Sequence, residues 1–168
     1  MKKNNKGFTL VELIVVLVIL AILAAILVPA LLGYIDKARQ GQYEEEAHSI
    51  LVACQGYATE QYAKNQEPKT DLTDTAVAAY VKGIVEPTVV KGGTIVYKDT
   101  YSASAPTKSM YTVAGFTNLQ FQSQDTKLIT CSFVDGAWYI TKIGDKETGV
   151  AVPSASSTTP EDSGEGGN

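Results

Sequence analysis

The stretch KGFTLVEL at residues 6–13 decides the fold, because it leads directly into a membrane-length apolar segment. This segment, residues 13–32, has twenty residues, all of them Leu, Ile, Val, Ala or Pro. A helix of that length is about 30 Å long at 1.5 Å per residue, which matches the hydrocarbon core of a bilayer. Lys2, Lys3 and Lys6 precede the segment, and an excess of Lys/Arg keeps that end of a span in the cytoplasm. We therefore predict one membrane-spanning helix with a cytoplasmic N-terminus.

A Gly-Phe step, Gly7-Phe8, separates a short basic leader from the apolar segment. The junction resembles the class III signal of type IV prepilins, the family of the pilins and of the pseudopilins of related secretion machines. The resemblance implies that a prepilin peptidase/methyltransferase cuts between Gly7 and Phe8 and N-methylates Phe8. It also implies that the helix near Pro29, at residues 21–30, can unwind on assembly. Within residues 6–35 the matching positions are Gly7, Phe8, Thr9, Leu10, Val11, Glu12 and Pro29.

Glu12 is an acid at the start of a membrane-length helix. A carboxylate at the centre of a spanning helix costs roughly 2.5–3.5 kcal/mol on insertion scales, and less near the interface. Intramembrane acids are functional by default, and this one needs a group that neutralises it. The implied cut creates a positive α-amino group at Phe8, one helical turn away. We therefore predict that Glu12 pairs with this amine, within one chain or between neighbouring subunits of a filament.

Two other interpretations of the N-terminus explain less of the sequence. A secretory signal has an apolar region of about 7–15 residues, followed by a small-residue cleavage site. Here the apolar segment is longer, and no polar region follows it. A plain single-pass anchor explains the length and the lysines, but it leaves the Gly-Phe step and Glu12 without a reason.

Residues 33–65 continue the helical pattern, with apolar residues on one side only. Steps of three and four separate these residues, as expected for a buried stripe on a helix. No turn cluster lies between the two halves, so we predict one helix of more than fifty residues. Pro29 removes a backbone hydrogen bond inside it and should kink or loosen it. The apolar stripe consists of Ile35, Ala38, Tyr43, Ala47, Ile50, Leu51, Cys54, Tyr57, Ala58 and Tyr62.

The following residues predict a small domain that covers this stripe. Residues 71–74 offer capping side chains for a short helix. Asp135-Gly136 predicts the type I′ turn of a hairpin over residues 127–143. Further strands are predicted at residues 89–90, 94–97, 110–116 and 119–122. The predicted fold class is therefore α+β and pilin-like: a long N-terminal helix, half transmembrane and half amphipathic, packed on a small antiparallel sheet.

The predicted organisation has four parts. Residues 1–7 are a cleaved leader, 8–32 a transmembrane and filament-core helix, 33–152 a pilin globular domain that includes the amphipathic half of the helix, and 153–168 a disordered tail. Removal of the leader removes three lysines, so the formal net charge changes from −4 to −7. Arg39 is the only arginine. Such an acidic chain has few cations to neutralise phosphates, so no nucleic-acid partner is expected.

Cys54 and Cys131 are the two cysteines. One lies on the helix stripe and the other on the inner face of the predicted sheet, so a disulfide between them is one alternative. It would contribute about 4 kcal/mol in the chain-entropy model, but the sequence does not place the two Cβ atoms within bonding range. Two buried free thiols are the favoured alternative. The pair also departs from the commonest pilin arrangement, in which both cysteines lie in the C-terminal part.

No catalytic residues, metal ligands or cofactor are predicted. His48, the lone histidine, does not share a helix face with Cys54, which excludes a Cys-His pair within this helix. The glutamates at residues 44–46 predict an exposed face. In a filament this face can meet lysines of a neighbour, such as Lys37 or Lys64, although exposed ion pairs contribute little alone.

The sequence therefore predicts a structural subunit of a type IV pilus and not an enzyme. Before assembly, the subunit is a single-pass protein of the cell membrane, surrounded by lipid. It then joins other copies of itself in an extracellular helical filament, which supports adhesion, motility or uptake. The resemblance implies an inner-membrane assembly platform and its ATPase as partners. One alternative is a pseudopilin of a type II secretion or competence machine, because the N-terminus serves both equally. Another is a membrane-anchored binding module that never polymerises.

Overall fold

The computed structural model describes residues 7–86 and 88–153. The chain begins with a 54-residue helix, α1 (Leu10–Ala63), followed by a shorter helix, α2 (Thr75–Val85). The strands are β1 (Val89–Tyr97), β2 (Val113–Gln122), β3 (Leu128–Val134), β4 (Ala137–Ile143) and β5 (Lys146–Glu147), and a 3₁₀ helix (Lys108–Tyr111) precedes β2. The predicted α+β fold class, a long N-terminal helix with a small antiparallel sheet, is confirmed.

The chain divides into two compact units within α1, between Gln42 and Tyr43. In the first unit, every described residue from Gly7 to Gln42 is exposed. In the second unit, burial begins at Tyr43 and follows one side of α1. The four-part organisation proposed from the sequence stays a prediction. The leader residues 1–6 and the tail residues 154–168 lie outside the described residues.

The end of α1 has a clear local cause. Asn65 adopts a positive φ of 54°, and its N–H donates to the carbonyl of Tyr62 at 3.1 Å. The N–H of Gln66 donates to the carbonyl of Gln61 at 2.9 Å. This pair of bonds is a Schellman motif, which satisfies carbonyls that a helix end leaves free. Asparagine tolerates the left-handed conformation better than most residues, so it ends the helix here.

The sheet contains the five strands in chain order, and each pair of neighbours is antiparallel. The predicted hairpin is confirmed as β3–β4, with positive φ values of 50° at Asp135 and 81° at Gly136, as a type I′ turn requires. The segments predicted as separate strands on either side of residues 92–93 form one strand, β1. Its register is irregular there, because Gly93 has a φ of 129° and a Cβ at that position would lie 2.7 Å from Cα of Leu119.

The core lies between the second half of α1, α2 and the inner face of the sheet. The side chains that are buried from these elements include Tyr43, Ala47, Ile50, Cys54, Tyr57, Val77, Val81, Ile95, Phe116, Leu119, Phe121, Ile129, Cys131 and Ile140. Most of the predicted stripe from Tyr43 to Ala58 is therefore buried. Ile35, Ala38 and Tyr62 are exposed, so the stripe was predicted too long at both ends. Ala38 and Ile35 precede the unit that has a core, and Tyr62 lies in the last turn of α1.

Candidate processing and assembly site

Thr9 and Glu12 form a reciprocal cap at the start of α1. The Thr9 N–H and the Thr9 hydroxyl both donate to Glu12 Oε2, each at 2.8 Å, and the Glu12 N–H points back to Thr9 Oγ1 at 3.3 Å. This is a capping box, in which the N-cap and the third helical residue satisfy one another's polar groups. The carboxylate therefore has two local donors before any partner arrives.

The capping box was missed in the sequence, although its Thr-x-x-Glu pattern is visible at residues 9–12. The sequence prediction for Glu12 rests only on a charge that needs an amine. The structure adds that the same carboxylate satisfies a backbone donor at the helix start, where the helix dipole also favours negative charge. Phe8 is 82 % exposed, just before the cap. A positive amine at Phe8 would lie at the unfavourable end of that dipole, which the Glu12 charge offsets.

The apolar segment of α1 has no cover within the described chain. Its most apolar eighteen-residue window contains no buried residue, and α1 is the one described helix that is long and apolar enough to cross a membrane. An apolar surface of this size is unfavourable in water, since exposed apolar patches on soluble monomers rarely exceed a few hundred Å². The helix is thus compatible with membrane anchoring.

Pro29 lies inside α1, and the helix continues on both sides of it. Proline has no N–H, so the carbonyl of Ala25, four residues earlier, lacks its usual helical donor. Such a site is one of the recognised causes of helix kinks. The role of Pro29 in assembly stays a prediction.

At the start of the second unit, a cluster of polar side chains connects α1 to the residue before β1 and to the turn between β2 and β3. We call it the basal clamp, and it consists of Tyr43, Glu46, Thr88, Ser123 and Asp125. The Tyr43 hydroxyl donates to Asp125 Oδ2 at 2.8 Å, and the Ser123 hydroxyl donates to Glu46 Oε1 at 2.8 Å. The Thr88 hydroxyl donates to Glu46 Oε2 at 3.2 Å.

Glu46 corrects one expectation from the sequence. Residues 44–46 were predicted to form an exposed acidic face, but Glu46 is only 7 % exposed, whereas Glu44 and Glu45 are exposed. The carboxylate is held in the core by hydroxyl donors, as buried polar groups must be. Nearby, burial raises the pKa of the Asp125 carboxyl. Hydrogen bonds from the Tyr43 hydroxyl and the Lys127 N–H, together with the Lys127 charge, have the larger, opposite effect, so this pKa lies below its ordinary value.

Both cysteines are free and buried in the structure. Burial raises the pKa of the Cys54 thiol and of the Cys131 thiol to about 12. Neither is a reactive nucleophile in this state, because the thiolate is the reactive form. The favoured alternative of two free thiols describes the structure, and a bond between them stays an untested prediction. Within residues 7–86 and 88–153, no three His, Cys, Asp or Glu side chains are grouped in a way that could hold a metal ion.

Among known proteins, the chain is similar to one family, and only in its N-terminal segment. Residues 2–28 match the family model of the prokaryotic N-terminal methylation motif, the signature of type IV prepilin-like proteins. The range includes Gly7, Phe8 and Glu12, and it ends just before Pro29. No curated protein and no solved structure matches the chain. The predicted resemblance is therefore confirmed for the N-terminal segment, and the motif implies processing by a prepilin peptidase.

Proposed function

We propose that the chain is a structural subunit of a type IV pilus. The observation that carries the proposal is an uncovered apolar helix whose first turn, inside a methylation motif, holds a capped acid at Glu12. An enzyme would need a constellation of reactive groups, whereas this site offers a carboxylate, a helix end and a large apolar surface. These are the parts that an anchored and then polymerising subunit needs.

Processing prepares the helix end for assembly. A prepilin peptidase/methyltransferase cuts between Gly7 and Phe8 and methylates the new amine, which remains positive. Thr9 offers Glu12 only neutral donors, and hydrogen bonds between charged groups are roughly twice as strong as neutral ones. Opposite charges about 4 Å apart attract by about 4 kcal/mol at an effective dielectric constant of roughly 20. The Phe8 amine of a neighbouring subunit therefore competes well for Glu12.

During assembly, the apolar surface of α1 leaves lipid and packs against other copies of the chain. Before assembly, lipid surrounds residues 8–32, and the three leader lysines keep the N-terminus on the cytoplasmic side. In the filament, the same residues pack against those of other copies, and residues 33–152 form the outer head. An assembly platform and its ATPase supply the work of extraction from the membrane. The finished filament is extracellular.

Intact-mass spectrometry of the protein purified from cells tests the processing step. The expected mass corresponds to loss of residues 1–7 and gain of a single methyl group. An unprocessed mass would contradict the proposal and would favour a plain membrane anchor.

Two substitutions at Glu12 separate its charge from its capping role. Glu12→Gln keeps an oxygen acceptor for Thr9, as Gln also serves in capping boxes, but it removes the charge. Glu12→Ala removes both. If the charge recruits the neighbour, both variants remain in the membrane fraction after cells are sheared, while the wild type is released in filaments. Asp145→Asn, at an exposed acid between β4 and β5, is the matched control and should assemble normally.

Each outcome of this assay has a definite meaning. Normal assembly of Glu12→Gln would refute pairing with the amine and leave only the cap. Normal assembly of Glu12→Ala would refute any assembly role for Glu12. Electron microscopy of the sheared fraction distinguishes the remaining alternative, because a pseudopilin of a secretion or competence machine would yield no long surface filaments.

A further inference from the structure

Exposed charges of opposite sign lie close together in the sequence of α1, beyond its apolar segment. Arg39 is exposed near the end of the first unit, and Glu44 and Glu45 are exposed at the start of the second. Within residues 7–86 and 88–153, none of these three side chains takes part in a salt bridge or a side-chain hydrogen bond. Their charges are therefore available to a partner molecule.

The structure narrows the ion pairs that the sequence allowed between neighbouring subunits. Glu46 is buried and bonded within the basal clamp, so it leaves the exposed acidic face. Lys64 forms a salt bridge with Glu60 of its own chain, so its charge already has a partner. The acids that remain for a neighbour are Glu44 and Glu45.

The pairing proposed for Glu12 sets how far neighbouring copies are displaced along α1. The amine of Phe8 in one copy lies level with Glu12 of the next, four residues further along the chain, which is about 6 Å of helix at 1.5 Å per residue. Because the copies are identical, the same displacement applies wherever their helices run parallel. It brings Arg39 of one copy within two helical residues, about 3 Å along the axis, of Glu44 and Glu45 of the next.

The two signs of charge also lie on different sides of the helix. Residues 39–45 are helical throughout, and each residue turns the helix by about 100°. Glu44 and Glu45 are therefore about 140° and 120° from Arg39 around the axis, in opposite directions. Groups so placed do not meet on one helix, where neighbours are three or four residues apart. They suit a heterologous contact, in which different surfaces of identical subunits meet.

The remaining charges of this stretch agree with the same displacement. Lys37 lies seven residues before Glu44, which is almost two full turns, so it shares a side of the helix with that acid and faces away from the acids of a neighbour. Asp36 of one copy comes level with Gln40 of the next, which is uncharged. Arg39 is thus the cation that fits, and the displacement brings no two acids level with one another.

We propose that Arg39 of one copy pairs with Glu44 and Glu45 of the next copy in the filament. This inference rests on the proposed filament function, and it names a second surface, beyond the apolar segment, by which neighbouring copies meet. A planar guanidinium can bind a carboxylate through two parallel hydrogen bonds, which fixes orientation as well as charge. One exposed ion pair contributes little, but in a filament every subunit repeats it.

Charge reversal, in cells that make the filament, tests the pairing by shearing followed by electron microscopy. Arg39→Glu should give about fivefold fewer filaments or less still, because like charges then repel where opposite charges attracted. The double variant Glu44→Arg/Glu45→Arg should show the same loss. The chain with all three substitutions should recover filaments to within about twofold of the wild type, because each charge again faces its opposite. Lys91→Glu, at an exposed cation of β1, is the matched control and should assemble normally.

Cross-linking measures the contact without reversed charges. In sheared filaments of an Arg39→Cys/Glu45→Cys chain, a short bis-maleimide should join many subunits into a ladder of multimers. Either single substitution should give dimers at most, since the two native cysteines are buried.

The outcomes separate this inference from the filament function. If the wild type forms filaments that depend on Glu12, but Arg39→Glu assembles like Lys91→Glu, only the pairing of Arg39 is overturned. The pairing is also overturned if the three combined substitutions yield no more filaments than Arg39→Glu, or if the doubly substituted cysteine chain gives no ladder. A wild type that yields no filaments would overturn the filament function, and this inference with it.

Discussion

Replacement of Glu46 by alanine should destabilise the head strongly, although this residue is one of three consecutive glutamates. The carboxylate accepts bonds from Ser123 at 2.8 Å and from Thr88 at 3.2 Å in a setting where it is 7 % exposed. Hydrogen bonds to charged groups contribute roughly 1.5–3 kcal/mol each. Two bonds at the lower limit give about 3 kcal/mol, and the hydroxyls of Ser123 and Thr88 lose a buried acceptor at the same time.

Urea unfolding of the full-length chain in detergent, followed by the fluorescence of Trp138, measures this loss. Glu44→Ala is the matched control, since this neighbouring acid is exposed and its removal should change the free energy of unfolding by less than about 0.5 kcal/mol. A double-mutant cycle with Ser123→Ala isolates the Glu46–Ser123 bond, with an expected coupling of about 1–2 kcal/mol. Glu46→Leu completes the series, because a well-packed apolar side chain can replace a buried charge at no loss.

The reasoning is refuted if Glu46→Ala and Glu44→Ala unfold at the same urea concentration. Equal stability of Glu46→Leu and the wild type would instead show that desolvation cancels the hydrogen bonds. In that case the clamp specifies the position of the β2–β3 turn without adding net stability.

Two further predictions concern titration and reactivity. The pKa of Asp125 is lowered in the fold. Its contribution to stability is therefore present above the unfolded pKa, about 3.9, and is lost as the pH falls through the folded pKa. Asp125→Asn should flatten the decline of the melting temperature below about pH 4, and an unchanged decline would assign that decline to other acids. Cys54 and Cys131, with thiol pKa values raised to about 12, should resist maleimide at pH 8 in the folded chain and both react in denaturant. Failure to react in denaturant before reduction, but reaction after it, would show that the chain purified from cells carries the disulfide.

Several elements were predictable because their cause is local. The composition of the apolar segment predicts its helix. Asp135-Gly136 predicts a hairpin, because a type I′ turn needs positive φ at both positions. The Thr9–Glu12 cap has an equally local cause, because its Thr-x-x-Glu pattern lies within four consecutive residues. The burial of Glu46 was not predictable in this way. Its partners Thr88 and Ser123 are 42 and 77 residues away in the chain, and no spacing rule connects a helix position to such distant turns.

The strands show the same division between local and distant causes. The glycines at residues 92–93 break the alternation that identifies a strand, so β1 was predicted as two pieces. Pairing with β2 holds the pieces together, because antiparallel hydrogen bonds on both sides of the irregularity remain in place. A cleft beside the end of β1 had no sequence signal at all. Its walls come from three separate segments, and only the folded chain brings Glu67, Tyr101 and Met110 together.

The position at which α1 begins determines which peptide bond an intramembrane protease can reach. A bond inside a helix has its carbonyl and N–H occupied, and a protease must unwind it before the catalytic groups can approach. Residues 7–9 have no regular secondary structure, and the cap at Thr9 prevents the helix from growing backward through Phe8. The Gly7-Phe8 bond, at which we propose the cut, therefore lies in backbone that is not occupied by helical hydrogen bonds. If the cut falls at this bond as proposed, we expect Thr9→Val, which removes the capping hydroxyl, to slow cleavage.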